Sequence, residues 1–161
     1  MREFDLYPPM CDWLRQYLTD KYKSYEVIVA DTHSERLDRA LQKFDIVYDI
    51  ATGIDIQIDV LGIVRSKKDS KVFKLVFVEA KKTSLTLKDV GQLWAYCKLI
   101  DPGEAFLLTS ADLGSLNKLL NVYNREDLLD FGDGKIIKKM KIGVWNLKTS
   151  SPELGLIFPK I

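Results

Sequence analysis

The sequence predicts an α/β fold: a mixed β-sheet flanked by helices. Three observations carry that prediction. Two β-branched stretches, Ile54 to Val64 and Val72 to Ala80, are separated by the polar turn Ser66-Lys67-Lys68-Asp69-Ser70-Lys71, which is a hairpin signature. The second stretch is apolar at both parities, with Phe73, Leu75 and Phe77 on one and Val72, Val76 and Val78 on the other, as in a central strand covered on both faces. Helical stripes precede and follow this pair, and the later one leads into another short apolar strand.

In chain order, Leu6-Tyr7-Pro8-Pro9 opens a helix, with Met10, Trp13, Leu14, Tyr17 and Leu18 at helical spacing. Glu26 to Ala30 reads as a short strand. Thr32 and Glu35 have capping-box spacing, and Leu37, Ala40, Leu41 and Phe44 continue a helical stripe. After the hairpin, a helix is predicted from Leu87 to Ile100, ended by Asp101-Pro102-Gly103. Ala105 to Leu108 follows as a strand, Leu113 to Tyr123 as a helix and Met140 to Leu147 as a strand, with Leu154 to Phe158 closing the sheet. Trp13, Trp94 and Trp145 are expected in the core, and Gly132-Asp133-Gly134 is expected as a turn.

Composition bounds the chemistry. With 161 residues, 47% of them hydrophobic, the chain suits one globular domain, residues 1–161. No apolar run approaches the roughly 20 residues of a membrane span, and Met1 to Asp5 is too acidic for a signal peptide. A soluble, cytoplasmic protein is therefore expected. Cys11 and Cys97 form no metal-binding pair, and His33 is the only histidine, so zinc sites and Ser-His-Asp triads are poorly supported. His33 is expected as a polar loop residue. A metal, if used, would be a hard cation held by carboxylates. Net charge is only +1, yet Arg65 to Lys98 holds nine basic residues against Asp69, Glu79 and Asp89. Lys135, Lys138, Lys139 and Lys141 form a second basic cluster. Patches of this kind bind phosphate backbones, although solvated hairpin edges are also lysine-rich.

Three acid-x-lysine triplets occur, Asp69-Ser70-Lys71, Glu79-Ala80-Lys81 and Asp133-Gly134-Lys135, so the pattern discriminates nothing without position. Only Glu79-Ala80-Lys81 ends an apolar strand. With the hairpin turn centred near Asp69, Asp59 falls opposite Glu79, their Cβ atoms about 4.5–5.5 Å apart, and Lys81 shares that face. Two carboxylates so placed repel each other unless a cation lies between them. A divalent ion there would polarise a phosphoryl oxygen and acidify a water. The same spacing also allows Asp59 an ordinary ion pair with Lys81 or Lys82. Asp55 shares the predicted strand face of Asp59 and is either an accessory acid or a solvating residue.

Asp59-Val60-Leu61-Gly62 followed some twenty residues later by Val78-Glu79-Ala80-Lys81 resembles the PD-(D/E)XK nuclease superfamily, which includes restriction endonucleases and archaeal Holliday junction resolvases. Gln92-Leu93-Trp94-Ala95-Tyr96 looks like the QxxxY element that some members carry on the helix after the catalytic strand. Glu3, with Asp5 second, best matches the acid of the family's first helix. Ile58 stands where the strictest pattern has proline, a variation the superfamily tolerates. The resemblance covers about residues 3 to 110 and leaves the C-terminal third unassigned.

That resemblance implies a restriction-endonuclease-like fold with an αβββαβ-type core and Mg²⁺-dependent hydrolysis of DNA, with Mn²⁺ able to substitute. It implies that Asp59, Glu79 and the Ala80 carbonyl ligate the metal and that Lys81 positions the attacking water. Glu3 would lie at the edge of the site, and Gln92 would support it or touch phosphate. A catalytically inactive nuclease-fold module that binds DNA or a protein is the alternative. An unrelated α/β enzyme acting on a small phosphate-bearing substrate is a third reading, weakened by the lack of a Gly-rich phosphate loop. Cutting both strands of a duplex needs two sites, so a symmetric homodimer is an expectation, with Leu113 to Ile161 as its candidate interface.

Overall fold

The computed structural model describes residues 1–159, so positions 160 and 161 of the expected domain lie outside it. Its centre is a six-stranded mixed sheet of order β1-β2-β3-β4-β7-β8, with a separate two-stranded ribbon β5-β6. The strands are β1 (Tyr25–Asp31), β2 (Val60–Ser66), β3 (Phe73–Lys81), β4 (Glu104–Thr109), β5 (Asp130–Asp133), β6 (Ile136–Lys139), β7 (Lys141–Asn146) and β8 (Ser151–Phe158). The helices are α1 (Tyr7–Lys21), α2 (Leu37–Gln42) and α3 (Leu87–Ile100). β1, β2 and β3 run antiparallel, whereas β3, β4 and β7 run parallel. The α3 crossover between β3 and β4 makes that parallel pairing possible.

Each face of the sheet buries one helical layer. Val60, Val64, Val76, Val78, Phe106 and Trp145 meet Leu6, Met10, Leu14 and Leu18 of the α1 side. Leu61, Ile63, Leu75, Phe77 and Leu107 meet Val90, Leu93, Cys97 and Ile100 of α3. β3 is thus apolar at both parities because it is covered twice. Gly62 lets α1 approach the sheet closely: a Cβ there would stand 2.8 Å from Leu18 Cδ1 and 3.2 Å from Val76 Cβ.

The hairpin has the expected register, Val60 opposite Val78 and Gly62 opposite Val76. Ser66 Oγ accepts from the amides of Lys68 and Asp69 in its turn. Several expectations need correction. Residues 54–59 are not strand, although Ile56 and Ile58 are buried and Asp55 and Gln57 exposed. Their carbonyls serve other partners: Ile56 O accepts from Leu37 N and Ile58 O from Thr32 Oγ1. Thr32 is therefore engaged elsewhere and caps nothing, and the residue preceding α2 is Arg36. Asp55, off any strand, is exposed and adds to the negative field on Arg36 rather than sharing a face with Asp59. The segment predicted as a helix from Leu113 to Tyr123 holds only a short α-turn, Ser115–Asn117, running into a π-turn, Lys118–Val122. Trp94 is not a core residue. It is partly exposed, and its Nε1 donates to Asp130 O, tying α3 to β5.

Among the described residues no helix is long and apolar enough to cross a membrane.

Candidate functional site

β3 runs one turn of the ladder beyond the start of β2, so Glu79, Ala80 and Lys81 reach past Val60. Side chains complete the pairing there. The Asp59 amide donates to Glu79 Oε1 at 3.2 Å, and the Ala80 amide donates to Asp59 Oδ2 at 2.8 Å. The two carboxylates are thereby held side by side, as the hairpin register requires. Glu79 is 8% exposed, while Asp59 is half-buried.

Neither carboxylate forms an ion pair within 4.0 Å among the described residues. The ordinary surface pair of Asp59 with Lys81 or Lys82 is not formed. Lys81 Nζ instead lies 4.0 Å from Asp89 Oδ1, on the first turn of α3. Asp89 is itself locked, because its Oδ2 accepts from the amide and hydroxyl of Thr86 in a capping box. The start of α3 therefore sets the position of the Lys81 ammonium.

Electrostatics mark this pair off from an ordinary buried acid. Burial, and next the neighbouring Asp59 charge, push the Glu79 carboxyl up to about 8. Burial also raises Asp59, against the pull of the Ala80 amide and the Tyr7 hydroxyl. Glu104, buried at the opposite end of the parallel strands, goes the other way. Burial would raise it, but hydrogen bonds from Tyr17 and Tyr22 and the ammonium groups of Lys141 and Lys21 hold it below its ordinary value. Glu104 is a satisfied structural clamp. Asp59 and Glu79 are two acids sharing one proton's worth of discomfort.

The sign of that shift makes a stability prediction. Below an ordinary glutamate value of 4.5, Glu79 is neutral in both folded and unfolded chains. Between 4.5 and about 8 the folded chain keeps a proton that the unfolded chain has released, so stability falls as pH rises through this window. Above about 8 the contribution is lost. In buffer free of divalent cations, Glu79→Gln is expected to flatten this slope and to melt a few degrees higher than the parent above about pH 8. Thermal melts across the pH range check it, and an unchanged slope would contradict the raised carboxyl.

Of the other predicted residues, Glu3 lies in the 3₁₀ turn Glu3–Leu6, close enough for its charge to raise both Asp59 and Tyr7. Asp5 faces away, accepting from the Arg2 amide. Gln92 is exposed, one helical turn beyond Asp89, and donates to the Tyr96 hydroxyl at 3.3 Å rather than to either carboxylate. The second basic cluster is largely consumed, since Lys138, Lys139 and Lys141 pair with Asp101, Asp130 and Glu104.

Two residues were missed. Tyr7 lies close enough to Asp59 for that carboxylate to act on its hydroxyl, whose ionisation is pushed upward by burial and then by Asp59. Asp89 anchors Lys81, and its capping-box spacing from Thr86 was the available signal.

Among the described residues no three Asp, Glu, His or Cys side chains converge as a metal-binding group. The donors on hand at the site are two carboxylates and the neighbouring backbone, an all-oxygen set that suits a hard divalent cation rather than zinc. No family model matches the chain, and none of the curated proteins or solved structures matches it.

Proposed function

We propose that the chain is a restriction-endonuclease-like, metal-dependent nuclease that hydrolyses DNA phosphodiester bonds. The observation that carries this reading is the unpaired, mutually destabilising Asp59–Glu79 carboxylate pair, with the Lys81 ammonium on the same strand face. Burying two like charges costs stability, and the cost is relieved either by a proton retained on Glu79 or by a cation held between the two carboxylates. The order of α1, the β2–β3 hairpin, α3 and parallel β4 supports the αβββαβ-type core.

Mg²⁺, or Mn²⁺ in its place, held by Asp59, Glu79 and the Ala80 carbonyl would supply Lewis-acid polarisation of the phosphoryl oxygen and an acidified water. The chain's own residues do the rest. Lys81, whose ammonium lies 4.0 Å from Asp89, orients the water or offsets charge on the phosphate as the new P–O bond forms and the opposite bond to the sugar oxygen breaks. The Ala80 amide fixes the Asp59 carboxylate. Glu3 adds negative potential at the rim. DNA as partner and a homodimer for double-strand cutting belong to the same proposal.

The test is incubation of the pure protein with Mg²⁺ or Mn²⁺ and labelled single strand, duplex, flap and four-way junction, beside a chelator control. Cutting that requires the divalent ion is the expected result. A folded protein that cuts none of these, or binds DNA indifferently to the cation, overturns the nuclease reading in favour of a non-cutting module.

A further inference from the structure

We propose that Asp89 is a positioning residue: it draws the Lys81 ammonium away from Asp59 and Glu79 and so keeps the carboxylate pair open to a divalent cation. This rests on the nuclease reading and concerns the same site. Lys81 follows Glu79 by two residues, on the same face of β3. Burial raises both acids, and the Lys81 charge works against that rise in each, so the ammonium is within electrostatic reach of the pair. A lysine so placed would be expected to close onto two carboxylates that repel each other. It does not. Lys81 Nζ lies instead 4.0 Å from Asp89 Oδ1.

Both ends of this contact are built in. The Lys81 main chain is fixed, in register with Thr109 of β4 and with its carbonyl accepting from the Ser110 amide at 2.9 Å. Only the side chain is left to choose between acids. Asp89 Oδ2 accepts from the Thr86 amide at 2.9 Å and the Thr86 hydroxyl at 3.0 Å, which leaves Oδ1 for Lys81. The Lys81 and Asp89 side chains are only 24% and 18% exposed, so solvent and salt screen them less than an open surface pair. At 4.0 Å the contact is longer than a hydrogen bond, so a substrate phosphate can still draw the ammonium off.

The consequence is a competition for one place. A lysine laid across Asp59 and Glu79 would relieve their repulsion much as a metal ion would, but it offers no Lewis acid. An incoming cation would have to displace it first. An acid on the first turn of α3 gives the lysine another partner, and the pair is left free. Asp89 also contributes a negative charge of its own to the neighbourhood, so its charge and its hold on Lys81 have to be separated by experiment.

The probe is Mn²⁺ alone, titrated calorimetrically at one pH into four intact proteins: the parent, Asp89→Asn, Lys81→Met and the double variant. An asparagine oxygen can still accept from the Thr86 amide, and circular dichroism confirms that each variant folds. Asp89→Asn is expected to bind Mn²⁺ about tenfold more weakly than the parent, the order of cost of first breaking a partly buried charged contact. In the Lys81→Met background the same substitution should change binding by less than about twofold, because no ammonium is left to compete. Equal weakening in both backgrounds would overturn the proposal, since Asp89 would then act by its charge alone or through the helix cap. Unchanged binding by Asp89→Asn would overturn it as well, and either result leaves the metal site of the nuclease reading standing. A parent protein that binds no Mn²⁺ would overturn both.

Discussion

Asp59→Asn is expected to reduce metal-dependent DNA cutting by at least about a hundredfold while the protein stays folded. The substitution is nearly isosteric, and an amide oxygen can still accept from the Ala80 amide, which is the bond that Asp59 Oδ2 now makes at 2.8 Å. What it removes is one of the two negative charges that a divalent ion would need. It also removes the neighbour that, after burial, most strongly raises Glu79. The carboxyl of Glu79 should therefore titrate lower in the variant. Cleavage rates with Mg²⁺ and Mn²⁺, run beside a thermal melt in chelator, check both halves. An enzyme fully active without this charge would leave the two-carboxylate site with no role in the reaction.

Phe77→Ala is expected to cost about 3–5 kcal/mol, a large part of the roughly 5–15 kcal/mol that holds a domain of this size together. Phe77 is fully buried in the middle of β3, opposite Leu61 in β2 and beside Ala105 in β4. It lies two residues before Glu79 on the face covered by α3, so the cavity would open directly behind the carboxylate pair. Ile137, exposed on the β5–β6 ribbon, is the contrast: Ile137→Ala should change stability by no more than about 0.5 kcal/mol. Denaturant titrations of the two variants make the comparison. A Phe77→Ala midpoint close to that of the parent would mean that this face of the sheet is not the tightly packed core described above.

The parts of the fold that were legible in the sequence are those governed by short-range pattern. The β2–β3 register follows from a polar turn and a two-residue period, and it brought Asp59 to Glu79 as expected. The helix α3 was readable because Asp101-Pro102-Gly103 gives it a clear end, whereas the Thr86–Asp89 capping box at its start went unused. Residues 54–59 misled because alternation reports burial, not pairing: Ile56 and Ile58 point inward while their carbonyls bond Leu37 and Thr32 instead of a neighbouring strand. The β5–β6 ribbon went unread since its strands are four residues each and its Ile136 and Ile137 stay in solvent. Tyr7 could not be found from spacing at all. Its proximity to Asp59 joins the start of α1 to the entry of β2, 52 positions away in the chain, and arises only when α1 packs on the sheet.

The last rung between β2 and β3 is built from side chains. Where a ladder would join main chain to main chain, the Asp59 amide meets the Glu79 carboxylate and the Ala80 amide meets that of Asp59. The seam of the sheet and the candidate reactive centre are therefore one object. Any event that changes the charge on either acid also changes how firmly the edge of the hairpin is stitched. Protonation of either acid and fraying of this corner are therefore coupled, because the same two carboxylates carry the charge and close the seam.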